Sequence, residues 1–255
     1  MGKRFNGNVV VITGGGGRNI GRSLAICFAR EGAKTVLIGR SEDALRAVAR
    51  EVESMGQESL VARADVSREA QVQVAFDAAV ERFGTVDILI NNAAVYLKRD
   101  TVDTAVAEWE QVLGVNLTGP FLCSRAALKI MIPQGRGRII HISSMAGKKA
   151  LATRGAYCAS KFGLLGLSEA MAAEVQGTGI HVNTICPGDV SATPNEGPAK
   201  TRPGAEHPNL LSLESHPMVH PDEIAEVAMF LASEKANAIR GQTINVYAGQ
   251  TLTEA

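Results

Sequence analysis

The 255-residue chain carries no net charge: 26 lysines and arginines balance 26 aspartates and glutamates, and no long run of either sign occurs. Without a basic or acidic field, nucleic acid and anionic membrane surfaces are not expected partners. Cysteine is scarce. Cys27, Cys123, Cys158 and Cys186 lie far apart, with no Cys-x-x-Cys pair. That spacing argues against a disulfide framework and a zinc site, and three of the four sit in apolar stretches, where cysteine serves as a small core residue. No apolar run is long enough to span a bilayer. The opening residues, Met1-Gly2-Lys3-Arg4-Phe5, lead into a strand pattern without the apolar region of a secretory signal. A soluble, cytoplasmic protein is expected. There is no repeat and no interdomain linker, so 1–255 reads as a single domain long enough for a large core.

What is present is alternation. Residues 8–13 (NVVVIT) form a continuous β-branched run, as in a strand buried on both faces. A helical pattern follows over Ile20–Arg30 and ends at Glu31-Gly32. Strand patterns recur at 34–38, 59–64, 86–91, 138–142, 180–185 and Thr243–Val246. Helical patterns fall between them, at 41–55 behind an N-cap at Ser41, and at 67–83, 103–132, 155–176 and 222–232. The alternation predicts an α/β fold: a doubly wound parallel sheet of about seven strands, with helices on both faces and right-handed crossovers. Seven of the nine prolines lie between Pro187 and Pro221, so that stretch cannot be one long helix. A long connection leaving the carboxyl end of a strand is expected to act as a substrate lid, at about 188–220.

Thr13-Gly14-Gly15-Gly16-Gly17-Arg18-Asn19-Ile20-Gly21 joins the first strand to the first helix. Glycines allow a tight turn and close approach of a pyrophosphate, and the helix N-terminus supplies N–H groups and a positive dipole. Dinucleotide binding is expected. The second strand ends Leu37-Ile38-Gly39-Arg40, without the carboxylate that would bind a ribose 2′-hydroxyl. Arg40 can face a 2′-phosphate instead, with Arg18 as a second clamp. These residues point to NADP(H). NAD(H) stays open, because Glu42 or Asp43 lies close enough in sequence to reach the ribose.

Tyr157 and Lys161 stand four residues apart, on one face of the helix expected there, with Ser144 upstream. A free phenol titrates near ~10. A cation ~5 Å away at an effective dielectric of ~20 is worth roughly 3 kcal/mol in favour of phenolate. Lys161 is therefore expected to draw Tyr157 down towards a useful range for acid–base work.

Taken in order, these motifs resemble the short-chain dehydrogenase/reductase family over essentially the whole chain. The resemblance implies a Rossmann fold and an NAD(P)-dependent oxidoreductase acting between carbonyls and alcohols. It implies that Gly14, Gly17, Asn19, Ile20 and Gly21 hold the cofactor phosphates, and that Asp65 and Val66 contact the adenine. Asn92 and Ala93, within Asn91-Asn92-Ala93-Ala94, would shape the strand beside the cofactor. Asn116, Ser144, Tyr157 and Lys161 resemble the family's catalytic tetrad. Tyr157 would exchange a proton with the substrate oxygen, Ser144 would hold that oxygen, Lys161 would also bind the nicotinamide ribose, and Asn116 would orient a water leading to solvent. Pro187, Gly188 and Val190 resemble the segment that holds the nicotinamide carboxamide. Gly241-Gln242-Thr243 resembles the start of a last strand that packs at subunit interfaces, so a homo-oligomer, tetramer or dimer, is expected.

The chain departs from the family in three places. The glycine loop is one residue longer, which puts Asn19 where a glycine is expected; asparagine tolerates left-handed geometry, so binding should survive. Thr193 comes one residue later than usual. Tyr247-Ala248-Gly249 replaces Asp-Gly-Gly, with an expected effect on subunit packing or pocket closure. The substrate pocket is expected to draw on Val95, Tyr96, Ala146, Leu151, Arg154 and Asp189. Lys148, Lys149 and Arg154 read as solvated charges, with attraction of an anionic substrate as the alternative. His207, His216 and His220 lie in or beside the lid, where Pro217 and Pro221 break any helix that would pair them, so no metal site is expected. Three readings stand: an NADP(H)-dependent reductase or dehydrogenase of a small carbonyl or alcohol, an NAD(H)-dependent polyol or hydroxy-compound dehydrogenase, and a non-catalytic dinucleotide sensor.

Overall fold

The computed structural model describes residues 2–17, 19–191 and 218–247. Seven strands form one sheet in the order β3-β2-β1-β4-β5-β6-β7, with every neighbouring pair parallel. They are β1 (Val9–Thr13), β2 (Lys34–Gly39), β3 (Ser59–Arg63), β4 (Ile88–Asn91), β5 (Gly137–Ile142), β6 (Ile180–Pro187) and β7 (Thr243–Val246). The expected doubly wound α/β sheet is the fold observed.

The continuous apolar strands follow from burial on both faces. In β1, Val10 and Ile12 pack into one core with Leu24 and Phe28 of α1 (Ile20–Arg30), Leu45 of α2 (Glu42–Ser54) and Ile224 of α7 (Pro221–Ala232). Val9 and Val11 turn to the other face. There they meet Phe76 of α3 (Glu69–Phe83), Met131 of α5 (Gly119–Gln134) and Met171 of α6 (Gly155–Glu174). A strand covered on one side only would show polar residues at every second position.

The helical pattern at 103–132 resolves into several pieces: a 3₁₀ turn (Thr101–Asp103), α4 (Val106–Leu113), a π-helical turn (Gly114–Thr118) and α5. The π turn carries Asn116, and turns of this kind often mark functional positions. Among the described residues no helix is long and apolar enough to cross a membrane.

Phe28 is fully buried and its ring packs on Phe5, 4.8 Å between centroids. We expect Phe28→Ala to cost about 3–5 kcal/mol. Urea denaturation checks this, the midpoint falling while the m-value stays the same.

Candidate active site

Parallel strands place their carboxyl ends along one edge, and the strand order reverses between β1 and β4. A crevice opens at such a reversal. Here it is a cleft of about 630 Å³ lined by the glycine loop, by Arg40 at the end of β2, and by Asn92 and Ala93 after β4. Gly14, Gly17, Asn19, Ile20 and Gly21 all face it. Arg18 lies outside the described residues.

The loop needs glycine for two distinct reasons. Gly14 has φ +68, a left-handed conformation that side chains disfavour. At Gly21 a Cβ would come within 2.1 Å of the Gly14 carbonyl oxygen, so no side chain fits where the turn closes on α1. Asn92 fastens the loop: its Nδ2 donates to the Thr13 carbonyl at 3.0 Å, while the Thr13 hydroxyl accepts from the Asn92 and Ala93 amides at 2.9 and 3.0 Å.

Asn19 does not adopt the left-handed geometry expected of it. Its φ is −116, which any residue reaches, so the longer loop removes the need for glycine at this position. Asn19 precedes α1 without capping it, and its Oδ1 is buried with no partner among the described residues. The first turn of α1 has no acidic residue. Free amides, an uncompensated helix dipole and an unpartnered buried acceptor suit a dinucleotide, whose phosphates take donors and whose ribose offers hydroxyls.

Arg40 is exposed at the cleft, and its side chain has no hydrogen bond or ion pair among the described residues. Glu42, one of the two carboxylates that could serve a ribose, is turned onto Arg46, 2.6 Å from its Nη2. Beyond Arg40 the cleft continues into a pocket of about 130 Å³ lined by Asp65, Val66 and Val95. Burial opposes the Asp65 charge. The Ser67 hydroxyl and amide, with Arg40 and Arg68 near by, outweigh it and hold the carboxyl below its ordinary range.

The four residues of the expected tetrad come from three elements. Ser144 follows β5, Tyr157 and Lys161 lie on α6, and Asn116 lies in the π turn. The Ser144 hydroxyl accepts from the Ala146 amide at 3.1 Å and lies near enough to Tyr157 to favour its phenolate. Lys161 is almost wholly buried, and its Nζ donates to the Ile142 carbonyl at 2.9 Å. The ammonium lies 5.7 Å from the centre of the Tyr157 ring. Asn116 is fully buried; its Oδ1 accepts from the Val95 amide at 2.8 Å, and its Nδ2 donates to the Val95 carbonyl and to the Ser160 hydroxyl. The Asn116 amide thus braces the Val95 loop against α6.

The expectation that Lys161 draws the phenol down is corrected here. Burial pushes Tyr157 up, by more than the nearby Ser144 hydroxyl brings it down, and Tyr96 and Cys158 add to the rise. Burial also lowers Lys161 to about 8. The lysine is bound to a carbonyl rather than to the phenol oxygen, and desolvation acts on both groups.

The remaining expected residues divide. Ala146 is buried beside Ser144, and the Leu151 amide donates to Cys158 Sγ at 3.4 Å. Tyr96 stands edge-on to Tyr157, with ring centres 5.0 Å apart. Arg154 is expected in the pocket, as a solvated charge or as an attractor of an anionic substrate. Its guanidinium lies over the Tyr96 ring and its Nε donates to the Tyr96 hydroxyl. Pro187 ends β6, and Gly188 donates to the Val246 carbonyl at 2.9 Å. Val190 pairs with Val219, whose amide donates to the Asp189 carbonyl at 2.8 Å. Thr193, His207, His216, most of the 188–220 connection, Ala248 and Gly249 lie outside the described residues. His220 caps α7, its Nδ1 accepting from the Asp222 amide at 3.3 Å. Burial pushes Tyr247 up to about 12, and its hydroxyl has no partner among the described residues.

Several site residues went unread in the sequence. Ser143 donates to the Lys161 carbonyl at 3.1 Å, and Ser160 donates to the Tyr157 carbonyl at 2.7 Å. Each adjoins an expected residue, and only that adjacency hinted at them. His141 is fully buried one residue before Ile142 and is pushed down to about 3, by burial and then by the Lys161 charge. Its position within an apolar strand gave no signal.

The family model described as short chain dehydrogenase matches residues 8–203. The 2-(S)-hydroxypropyl-CoM dehydrogenase 3 of Xanthobacter autotrophicus is 33% identical over 254 residues, covering 98% of this chain and 99% of that protein. The D-threitol dehydrogenase of Mycolicibacterium smegmatis is 34% identical, covering 98% and 95%. The 3-oxoacyl-[acyl-carrier-protein] reductase of Synechocystis is 33% identical, covering 95% and 97%. Among solved structures, a short-chain type dehydrogenase/reductase from Mycobacterium marinum superposes with a TM-score of 0.85 at 28% identity, covering 98% and 97%. The chain belongs to the short chain dehydrogenase family, the NAD(P)-dependent oxidoreductases that interconvert CH–OH and C=O groups.

Proposed function

We propose that the protein transfers hydride between NADP(H) and a small carbonyl or secondary alcohol, with Tyr157 as the general acid and base. The observation that carries this reading is the placing of Tyr157 and Lys161 one turn apart on α6, the ammonium 5.7 Å from the centre of the phenol ring, with Ser144 near enough to favour the phenolate. When bound, the nicotinamide supplies or accepts the hydride. The chain's own groups do the rest. A buried phenol held above its ordinary range stays protonated at neutral pH, the form that gives a proton to a substrate oxygen during reduction. Ser144 steadies that oxygen. Lys161, with no carboxylate partner among the described residues, offers its remaining N–H groups to hydroxyls entering the cleft. The brace made by Asn116, Val95 and Ser160 holds α6 in register with the loop after β4.

Arg40 supports NADP(H) over NAD(H), because its charge faces the cleft while Glu42 is occupied with Arg46. The relatives' names span D-threitol, 2-(S)-hydroxypropyl-CoM and a 3-oxoacyl-[acyl-carrier-protein], which leaves the substrate at the level of a carbonyl or alcohol. We read 1–255 as one domain. Trp109, Phe121 and Phe162, exposed by 40–44% on α4, α5 and α6, support a homo-oligomer.

Replacing Tyr157 by Phe should lower kcat by roughly 10²–10⁴-fold while NADPH still binds. Absorbance at 340 nm and NADPH fluorescence read the two effects separately, and undiminished turnover would rule out the assigned role. Arg40→Ala should erode the preference for NADP(H) by roughly ten- to a hundredfold, the worth of a charge-assisted contact. Titrations with both cofactors measure it, and an unchanged preference removes Arg40 from the account.

A further inference from the structure

Arg4, Arg22, Arg46, Arg82, Arg99, Arg125 and Arg136 each lie within reach of a carboxylate, whereas Arg154, like Arg40 and several other arginines, makes no ion pair among the described residues. It also sits just before α6, where a helix dipole disfavours a cation and where the first turn offers no acid. The backbone spends energy to put it there. Thr153 has φ +64, and it is the one non-glycine residue with positive φ among those described. For a β-branched residue that conformation is strained, and strain of this kind persists where surrounding contacts hold it. The contact here is the Arg99 amide, donating to the Thr153 carbonyl at 2.6 Å.

The guanidinium is fixed as well as unpaired. Its Nε donates to the Tyr96 hydroxyl, its plane lies 5.6 Å from the centre of the Tyr96 ring, and Nη1 reaches the Ala152 carbonyl at 3.5 Å. Nη2 has no partner among the described residues. Tyr96 in turn stands edge-on to Tyr157, 5.0 Å between ring centres. The Arg154 charge is near enough to Tyr157 to favour its phenolate. A rigid, half-buried guanidinium with free N–H groups beside the proton donor matches the planar fork of a carboxylate.

We propose that Arg154, held by Tyr96 and the strained Thr153, binds an anionic group on the substrate and makes the enzyme selective for carbonyl acids and hydroxy acids. This rests on the reading of Tyr157 as the proton donor. The anionic group takes no part in the bond changes: hydride reaches the carbonyl carbon, the Tyr157 proton reaches the oxygen, and the carboxylate leaves unaltered. Its pairing with Arg154 fixes which carbonyl lies beside Tyr157.

The test uses a series of short oxo acids and their methyl esters, with NADPH and the full chain. In the wild type at least one acid should exceed its ester in kcat/KM by about tenfold or more, and in Arg154→Gln that ratio should fall towards one, chiefly through KM. Arg154→Lys should recover part of the ratio and serves also if the glutamine variant folds poorly. Calorimetry with the same acids, Tyr157→Phe protein and NADP⁺ reads the contact without turnover. Acids binding no better than esters there, or an acid-to-ester ratio insensitive to Arg154, would overturn the proposal. Equal losses on acids and esters through kcat would assign Arg154 to positioning Tyr157 and overturn it too. Absence of turnover on every substrate, with acids still bound through Arg154, would instead sink the reading of Tyr157 and leave the anion contact standing.

Discussion

The buried ammonium of Lys161 is the interaction around which the site is built. Taking a cation out of water is costly unless something replaces its hydration. Here the replacement is the Ile142 carbonyl, at the carboxyl end of β5. That carbonyl is available because a parallel sheet delivers the ends of β1, β4, β5 and β6 to one edge. The Ser143 hydroxyl, donating to the Lys161 carbonyl, locks α6 against the same strand end. Tyr157, one turn earlier, is thereby set beside Ser144. The position of Tyr157 follows from the anchoring of the lysine on the same helix.

The rest of the cleft follows the same electrostatic plan. The N-terminus of α1 lacks acids, Arg40 faces the cleft with Asp65 near by, and Arg154 is held against Tyr96. A chain with no net charge places the N-terminus of α1 and Arg40 at the cleft. Such a surface favours anions in the cleft, and the low local dielectric strengthens each contact once water is displaced. Neutral His141 behind Lys161 fits this arrangement, since a second buried cation there would repel the first.

Much of this was legible in the sequence, and the limits have physical causes. Continuous β-branched runs such as Val9 to Ile12 announced strands buried on both faces, and strand–helix alternation announced the doubly wound parallel sheet. The spacing of Tyr157 and Lys161 placed them on one helix face, as observed. What spacing could not convey was desolvation. The expected descent of the Tyr157 phenol assumed a half-solvated pair, whereas burial raises the phenol and lowers the lysine. Asn19 was misjudged because the effect of one inserted residue on φ is not written in residue type. Tyr96 and Arg154 were both expected in the pocket, but nothing local reveals that residues 58 positions apart are bonded to each other. The brace through Asn116 was hidden likewise, since a π turn leaves no clear mark on hydrophobic periodicity.

The central claim, that the site is organised around a desolvated lysine, is tested most directly by the pH dependence of stability in wild type and Lys161→Met. The folded-state value of about 8 lies below the ordinary 10.5, so between these limits the unfolded chain binds more protons. Below about pH 8 the cost of the buried charge is fully present; it is released as pH rises towards 10.5. Wild type should therefore gain roughly 3 kcal/mol over Lys161→Met across that window, measured by urea denaturation without cofactor. Parallel stability curves for the two proteins would contradict the account.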